Sequence, residues 1–585
     1  MKRYLTYLLI FGFFLLWSCT KDFLERPPLD ELSPDYYFKT ANDLKLFANR
    51  FYPLLPAHSG YGGGTFWFEK NSDNLVPGSI DLRLSGTRTI PSTGGGWDWS
   101  EIRQANYFLE HCNTASDDPE NIKVYIAEVK FFKAMLYFDK VKTFGDVPWI
   151  NKSMDTESPE LFAPRDKRNV VVDSIISLLD SAIVNLKPKS SAEPFRINIE
   201  AAILMKARIC LYEGTWEKYH TGTPFGVSGQ DGTKFIGMAA DAADQLMRNG
   251  TLSLYKGPAG TEYWSLFNKL DYTDNPEVLL WKKYDVGLGV YHHVSSYLSS
   301  GAGDIGVARS LIDSYLCTDG KPVSVSPGFM GYDSLEAEVM NRDPRLKQSI
   351  FMKGYDQTIN SPGGGADIQF IKPAIDLTGQ FRATTGYCIY KGVNPEYSQH
   401  TNAGGTMGSI ILRYAEALLI YAEAKAELGT ITQNDIDITV NAIRDRVEMI
   451  HLDINNIAAD PNWDYPALSP VINEIRRERR VELAFETMRW DDLARWRAHH
   501  LIAGKRPGGI LYTGSNLEGT YFDYLGNPTI VLGQNLFVDA DGFIDPYQLA
   551  LPGGFGFDPG RDYLSPVPSD EITLNTNLSQ NPGWE

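Results

Sequence analysis

Apolar residues recur at helical spacing through much of this chain and lose that rhythm in long stretches between. In SIILRYAEALLIYAEAKAELG, Ile411, Ala415, Leu418, Ala422 and Ala426 fall 4, 3, 4 and 4 residues apart, one stripe of a 3.6-residue helix that Gly429 ends. Its three alanines leave room for a close neighbour, so the segment predicts one half of a packed helical pair. Ala127, Phe131, Ala134, Phe138 and Val141 repeat at 4, 3, 4 and 3, and Gly145 and Pro148 close that helix. VVVDSIISLLDSAIVNL and RINIEAAILMKARICLYEGTW predict further paired helices, TVNAIRDRVEMI a short amphipathic one, and Phe235 to Met247 another. Thr40 to Leu54 reads as an N-terminal helix with Thr40 or Asn42 as its cap. Helix pairs with small residues at their crossings predict a mainly α architecture with tetratricopeptide-like stacking.

The stretches without period are 58–96, 219–408 and 498–585, and the helical scaffold is expected mainly over 97–215 and 409–497. The first stretch holds nine glycines, with Tyr61, Phe66, Trp67 and Phe68 among them. Long loops of this kind are more often functional than idle. Length alone would suggest three or four domains. Because helical segments recur from end to end, 40–585 is read as a single domain.

One helical segment is unusual in its charge. In VINEIRRERRVELAFETMRWDDLARW, 13 of the 25 residues from Asn473 to Arg497 are Asp, Glu or Arg, and every cation is Arg. A solvated face would accept Lys equally well, whereas Arg is favoured where a planar fork holds carboxylates in fixed geometry. Arg479, Glu482, Glu486 and Arg489, with Leu483, Phe485 and Trp490 between them, predict an interface in which ion pairs and apolar contacts are mixed. These carboxylates are structural on this reading, since none stands clear of an Arg neighbour.

At the N-terminus, Lys2 and Arg3 precede an uncharged run of 13 residues from Leu5 to Trp17. That is too short for a bilayer span of about 20 residues but suits a signal peptide, 1–18. Ser18 before Cys19, with Leu16 three positions ahead of the cysteine, matches a lipobox, so Cys19 is expected to be acylated at the head of a proline-containing tether, 19–39. The net charge of −18 opposes nucleic-acid backbones and anionic membranes. Attachment to a membrane would therefore come from lipid on Cys19. Cys112, Cys210, Cys317 and Cys388 lie far apart without CxxC or Cys-His pairing, which predicts buried free thiols and no zinc site.

The wording of several segments resembles the SusD/RagB family of Bacteroidetes surface lipoproteins. RYAEALLIYAEA and RRERRVELAFETMRWDDLARW are similar to its C-terminal signature, KDFLERPP after Cys19 to its opening, AEVKFFKAMLYFDKVKTFGDVPWI to a central helix, and LSPVPS with QNPGW to its close. NPE, DGK and RDPRL stand in order between them, so the resemblance covers nearly the whole chain after Cys19. It implies a SusD-like fold with four tetratricopeptide-like helix pairs and a loop-rich, mixed ligand-binding region. It also implies a partner, a SusC-like TonB-dependent outer-membrane transporter, to which the lipid-anchored protein delivers oligosaccharide at the exterior of the cell. A RagB-like receptor for peptides is the alternative.

Catalytic motifs are absent: the sequence has no GxSxG, HExxH or GxxxxGK[ST]. Two carboxylates of a glycoside hydrolase are the enzymatic possibility that composition leaves open. No catalytic residue, metal or cofactor is assigned. A neutral glycan site needs flat aromatic platforms beside a few polar groups. The candidates are Trp67, Trp97 and Trp99 in or at the end of the glycine-rich loop and Tyr291 and Tyr297 in GLGVYHHVSSYLSSGAG, with Arg83 and His292 for polar contacts.

Overall fold

The computed structural model describes residues 37–58, 60–299, 303–353, 358–359, 368–401 and 404–585. The expected signal peptide, Cys19 and the tether as far as residue 36 lie outside them. Helix α1, Ala41–Asn49, opens at a capping box in which Thr40 and Asp43 satisfy each other's backbone N–H groups. It packs with α2, Ser100–His111, on α3, Pro119–Phe144. The stripe Ala127, Phe131, Ala134, Phe138 and Val141 is buried throughout. Gly145 stops α3 with φ of 74°, and a Cβ there would stand 2.8 Å from Leu564 Cδ1, so the turn also needs the space.

Helices α4, Arg168–Ile183, α5, Ile199–His220, α6, Thr233–Met247, and α7, Tyr414–Glu427, each pack on the one before. Helix α8, Pro470–Glu482, lies against α7, and α9, Arg489–Arg495, returns against α5. Ala422 and Ala426 of α7, Ile436 and Val440 from the helical run 433–446, and Ile475 of α8 share a small core. Among the described residues the pairs are therefore α2 with α3, α4 with α5, α6 with α7, and the run 433–446 with α8. The fold is mainly α, as expected. Helix α6 belongs to this scaffold although it falls in a stretch read as loop-rich, and its partner α7 follows only after residues 248–413.

Two short antiparallel ladders join the scaffold to the loops. Strand β1, Leu75–Pro77, pairs with β3, Ile305–Val307, and β2, Val278–Lys282, with β4, Ser409–Arg413. Ile411 is thus in a strand and not in the α7 stripe. Leu279, Leu280 and Leu412 face the large helical core, whereas Val278 and Trp281 face a second core that includes Phe66, Tyr263, Val294, Ile305 and Phe485. A ladder buried on both sides reads as a continuous apolar run, and VLLW and IIL are such runs.

The charged segment also differs from one continuous helix. It breaks between α8 and α9, where Phe485 and Thr487 take φ of 67° and 72°. Its charges also pair with residues remote in sequence. Arg413 reaches Glu277, Glu482 and Glu486 at 2.6 to 2.8 Å, and Arg489 reaches Asp73 at 2.6 Å. Cys112, Cys210, Cys317 and Cys388 are buried free thiols.

Candidate functional site

The break between α8 and α9 is where the scaffold takes hold of the loops. Left-handed backbone is strained for residues such as Phe485 and Thr487 and persists only if neighbours over-determine it. The N–H groups of Phe485 and Met488 donate to the Glu69 carboxylate at 3.1 and 3.2 Å. The Glu482 carbonyl accepts from the Tyr263 hydroxyl at 2.6 Å and from Arg413 Nη2 at 2.9 Å, and Lys391 Nζ reaches the Ala484 carbonyl at 2.8 Å. Burial raises the pKa of Glu69, against hydrogen bonds from Asn74 and the backbone that favour its charge. Glu69 sits in the 3-10 segment Gly64–Asn71. That segment is thereby pinned to the helix break.

Two residues before Glu69, the half-buried Trp67 meets Tyr297 edge to face, with centroids 5.8 Å apart. Gly63 and Gly303 allow the backbone to lie against its indole, since a Cβ on either would come within 2.3 and 2.1 Å of ring atoms. Tyr61 is 75% exposed and stacks on His293 with centroids 5.0 Å apart and planes 5° from parallel. At that exposure most of the Tyr61 side chain meets solvent. Tyr291, 38% exposed, stands edge-on to His293 at 5.9 Å, and Tyr297 lies 6.5 Å from Tyr61. Beside Tyr291, backbone hydrogen bonds of 2.7 and 3.0 Å between Asp285 and Val290 close a tight turn that exposes Val286, Leu288 and Val290. Tyr61, Trp67, Tyr291, His293 and Tyr297 thus share one contiguous face, able to stack on C–H surfaces and to hydrogen-bond through phenol hydroxyls at its rim.

The other candidates do not join it. His292 is fully buried, because the extended bridge to Gly405 sends neighbouring side chains to opposite sides. Its Nε2 donates to the Met407 carbonyl at 2.8 Å and its Nδ1 accepts from the Val294 N–H at 3.2 Å. Both nitrogens are occupied, and burial pushes its pKa down to about 4. His293 turns to the other side, where it lies 7% exposed beneath Tyr61. Arg83 lies over the Trp490 ring at 4.4 Å and reaches Ser565 at 3.4 Å, so it ties the C-terminal segment to α9. Burial and the neighbouring Arg88 bring its pKa down to about 10. Trp97 is buried, edge-on to Phe144 at 4.9 Å, and Trp99 packs beside it at 5.3 Å with Lys140 at 5.6 Å. Both cover the C-terminal turns of α3.

Residues 213–584 match the sequence model of the SusD family. The chain belongs to that family. SusD-like protein P2 of Formosa agariphila is 24% identical, with 96% of each chain covered. A solved SusD-like protein from Bacteroides fragilis matches with a TM-score of 0.69 at 24% identity, covering 95% of this chain and 100% of its own. A SusD-like carbohydrate binding protein from the same species matches with a TM-score of 0.69 at 21% identity over 93% of this chain and 100% of its own. The face itself rests on this chain's own aromatics, of which Tyr61 and His293 were missed as site residues. Tyr61 had a visible signal in its glycine-rich surroundings; His293 had none that separated it from His292.

Proposed function

We propose that this SusD-family protein binds oligosaccharide on the face formed by Tyr61, Trp67, Tyr291, His293 and Tyr297 and delivers it to a SusC-like TonB-dependent transporter. It is acylated at Cys19 and held on the outer membrane, facing the cell exterior. The protein binds and passes on its ligand without cleaving it. The observation that carries the reading is Tyr61, a tyrosine ring backed by His293 and open to solvent, fixed beside Trp67 by the Glu69 clamp. Sugar rings present C–H faces to such platforms and hydroxyls to the phenols around them. A fold relative described as carbohydrate binding supports the same class of ligand.

Calorimetric titration of the mature chain with neutral oligosaccharides tests the face. Affinity should fall roughly 30-fold in Tyr61→Ala while the melting temperature stays put, and the oligosaccharides should be recovered unshortened. Undiminished affinity in a folded Tyr61→Ala protein would remove this face as the site. For the anchor, Cys19→Ala should release a folded protein from the membrane fraction of cells lacking the transporter. Retention there would refute acylation as the attachment.

A further inference from the structure

A cleft of about 400 Å³ opens between the short helix Arg309–Ser314, the loop through Phe329 and Tyr332, the loop through Trp463, and one side of α8. Three of its four rings, Phe329, Tyr332 and Trp463, are each half-buried, and the first two meet edge to face at 4.9 Å. Two carboxylates supply acceptors. Asp313, with a side chain 32% exposed, takes the Tyr332 hydroxyl at 3.0 Å, and Asp464, 43% exposed, has a long 3.7 Å ion pair with Arg480. The donors are deeper. The Tyr465 hydroxyl and Arg476 Nε and Nη1 belong to residues 6% and 2% exposed, and these atoms have no hydrogen-bond partner among the described residues. Arg476 is not free to turn toward one, since its guanidinium lies 4.3 Å from the ring centroids of both Tyr465 and Trp496 and its Nη2 holds Glu427 at 3.0 Å.

Buried donors without acceptors destabilise a fold, so a cleft lined by them suits a ligand that brings oxygens. Half-exposed rings suit one that also brings C–H faces. Asp313, Asp460 and Asp464 share the lining with Arg476, Arg477 and Arg489, so the wall has no excess positive charge to favour a uronic or sulfated sugar over a neutral one. We propose that this cleft is a second saccharide site, for a neutral hexopyranose unit, separate from the aromatic face and sharing no residue with it. The ligand class rests on the glycan reading given above; the site does not. Two sites on one chain let a long polysaccharide be held at both, which raises apparent affinity roughly a hundredfold or more where the glycan can span them.

The test titrates wild type, Tyr61→Ala, Trp463→Ala, Asp464→Asn and the Tyr61→Ala/Trp463→Ala pair with malto-, cello- and manno-oligosaccharides, their parent polysaccharides, and polygalacturonate as the anionic comparison. Tyr61→Ala should retain a weak neutral-sugar binding that the double variant loses. Trp463→Ala and Asp464→Asn should each weaken polysaccharide binding at least tenfold while leaving short-oligosaccharide binding at the face unchanged. Melting temperatures identify any variant that has lost its fold, and Asp464→Asn, at a half-exposed position, keeps the test available if Trp463→Ala unfolds. The second site is overturned if a folded Asp464→Asn or Trp463→Ala protein binds polysaccharide as wild type does, or if polygalacturonate is preferred at the residual site. Wild type binding none of these glycans would overturn the face reading as well, whereas loss of all binding in Tyr61→Ala alone overturns only the cleft.

Discussion

Around α8 and α9 the fold buries arginines, and on the face formed by 61–67 and 291–297 it exposes aromatics. Arg345, Arg413 and Arg495 are among the largest fully buried side chains, while Tyr61 is 75% and Tyr291 38% exposed. Taking a guanidinium out of water costs several kcal/mol unless its pairing is nearly complete. The scaffold provides that pairing from elements far apart in the chain, as where Arg495 of α9 meets Glu423 of α7. The arginines therefore specify how helices and loops are placed. Exposed rings place nothing; they leave apolar surface in water that a ligand can cover. Substitutions in the first region should change stability and spare affinity, and substitutions in the second should do the reverse.

The largest effect is expected at Arg413. Burial would raise the pKa of Glu482, but Arg446, Arg413 and Arg345 overcome it and hold the carboxyl far below its usual range. Arg413→Ala leaves Glu277, Glu482 and Glu486 short of a partner and should cost about 3 to 5 kcal/mol in denaturant unfolding. Trp97→Ala belongs to the same class, at about 3 to 5 kcal/mol for a large buried ring. Glycan affinity of the folded fraction should stay at the wild-type value in both. A folded Trp97→Ala protein that has lost affinity would erase the contrast, because it would put a scaffold tryptophan in the site.

Tyr61→Ala is the converse. Its stability should change by no more than about 0.5 kcal/mol, as for a surface position. Affinity should fall by about 2 kcal/mol, roughly 30-fold in Kd, if the ring is a hot spot covered by ligand. Trp67→Ala should show both effects, since its indole is half-buried against Gly63 and Gly303 as well as lying on the face. Calorimetry paired with thermal melting separates the two.

What could be read from the chain follows the same division. The α3 stripe and the all-Arg segment announced buried helices and buried ion pairs, because period and residue choice are local signals. The remote partners of those charges were not legible: nothing near Arg489 in sequence points to Asp73, and nothing near Glu482 points to Arg413. Ile411 fitted a helical stripe by spacing, yet pairing with β2 captured its backbone, and short apolar runs do not distinguish the two outcomes. The break after Glu482 was hidden as well, since Phe485 and Thr487 are poor residues for left-handed backbone and hold it only because Glu69, Tyr263 and Lys391 bind the released groups. On the face, Trp67, Tyr291 and Tyr297 were recognisable from glycine- and aromatic-dense loops. Trp97, with the same local appearance, went to the α3 core, and His292 exchanged roles with His293 through the direction of one extended residue.

Acid offers the smallest and most selective effect, and the signs of the pKa shifts give the order in which the two regions yield. Beneath the face, burial lowers the pKa of His292 from 6.5 to about 4, against the hydrogen bond to Met407 that favours its charge. His58, edge-on to it at 4.7 Å, is pushed well below 6.5 by burial and by His292. A base with a lowered folded pKa binds fewer protons folded than unfolded, so its contribution is complete above about pH 6.5 and declines as pH falls toward 4. In the scaffold, burial would raise Asp73 and Glu423, but Arg480 and Arg489 hold the first at about 2, and Arg495 and Arg479 hold the second at about 2. A depressed carboxyl stabilises fully above its unfolded pKa, so these contributions persist to about pH 4 and disappear as pH falls toward 2. The face should therefore loosen first. From pH 7 to 6 the loss from a histidine such as His292 is under about 1 kcal/mol, and by pH 5 glycan affinity should have dropped severalfold while the helical circular-dichroism signal holds. Below about pH 4 the helical signal should fall too. If it declines before affinity does, the buried ion pairs do not make the scaffold the more acid-resistant region, and the distinction between a charge-locked frame and a separately held aromatic face fails.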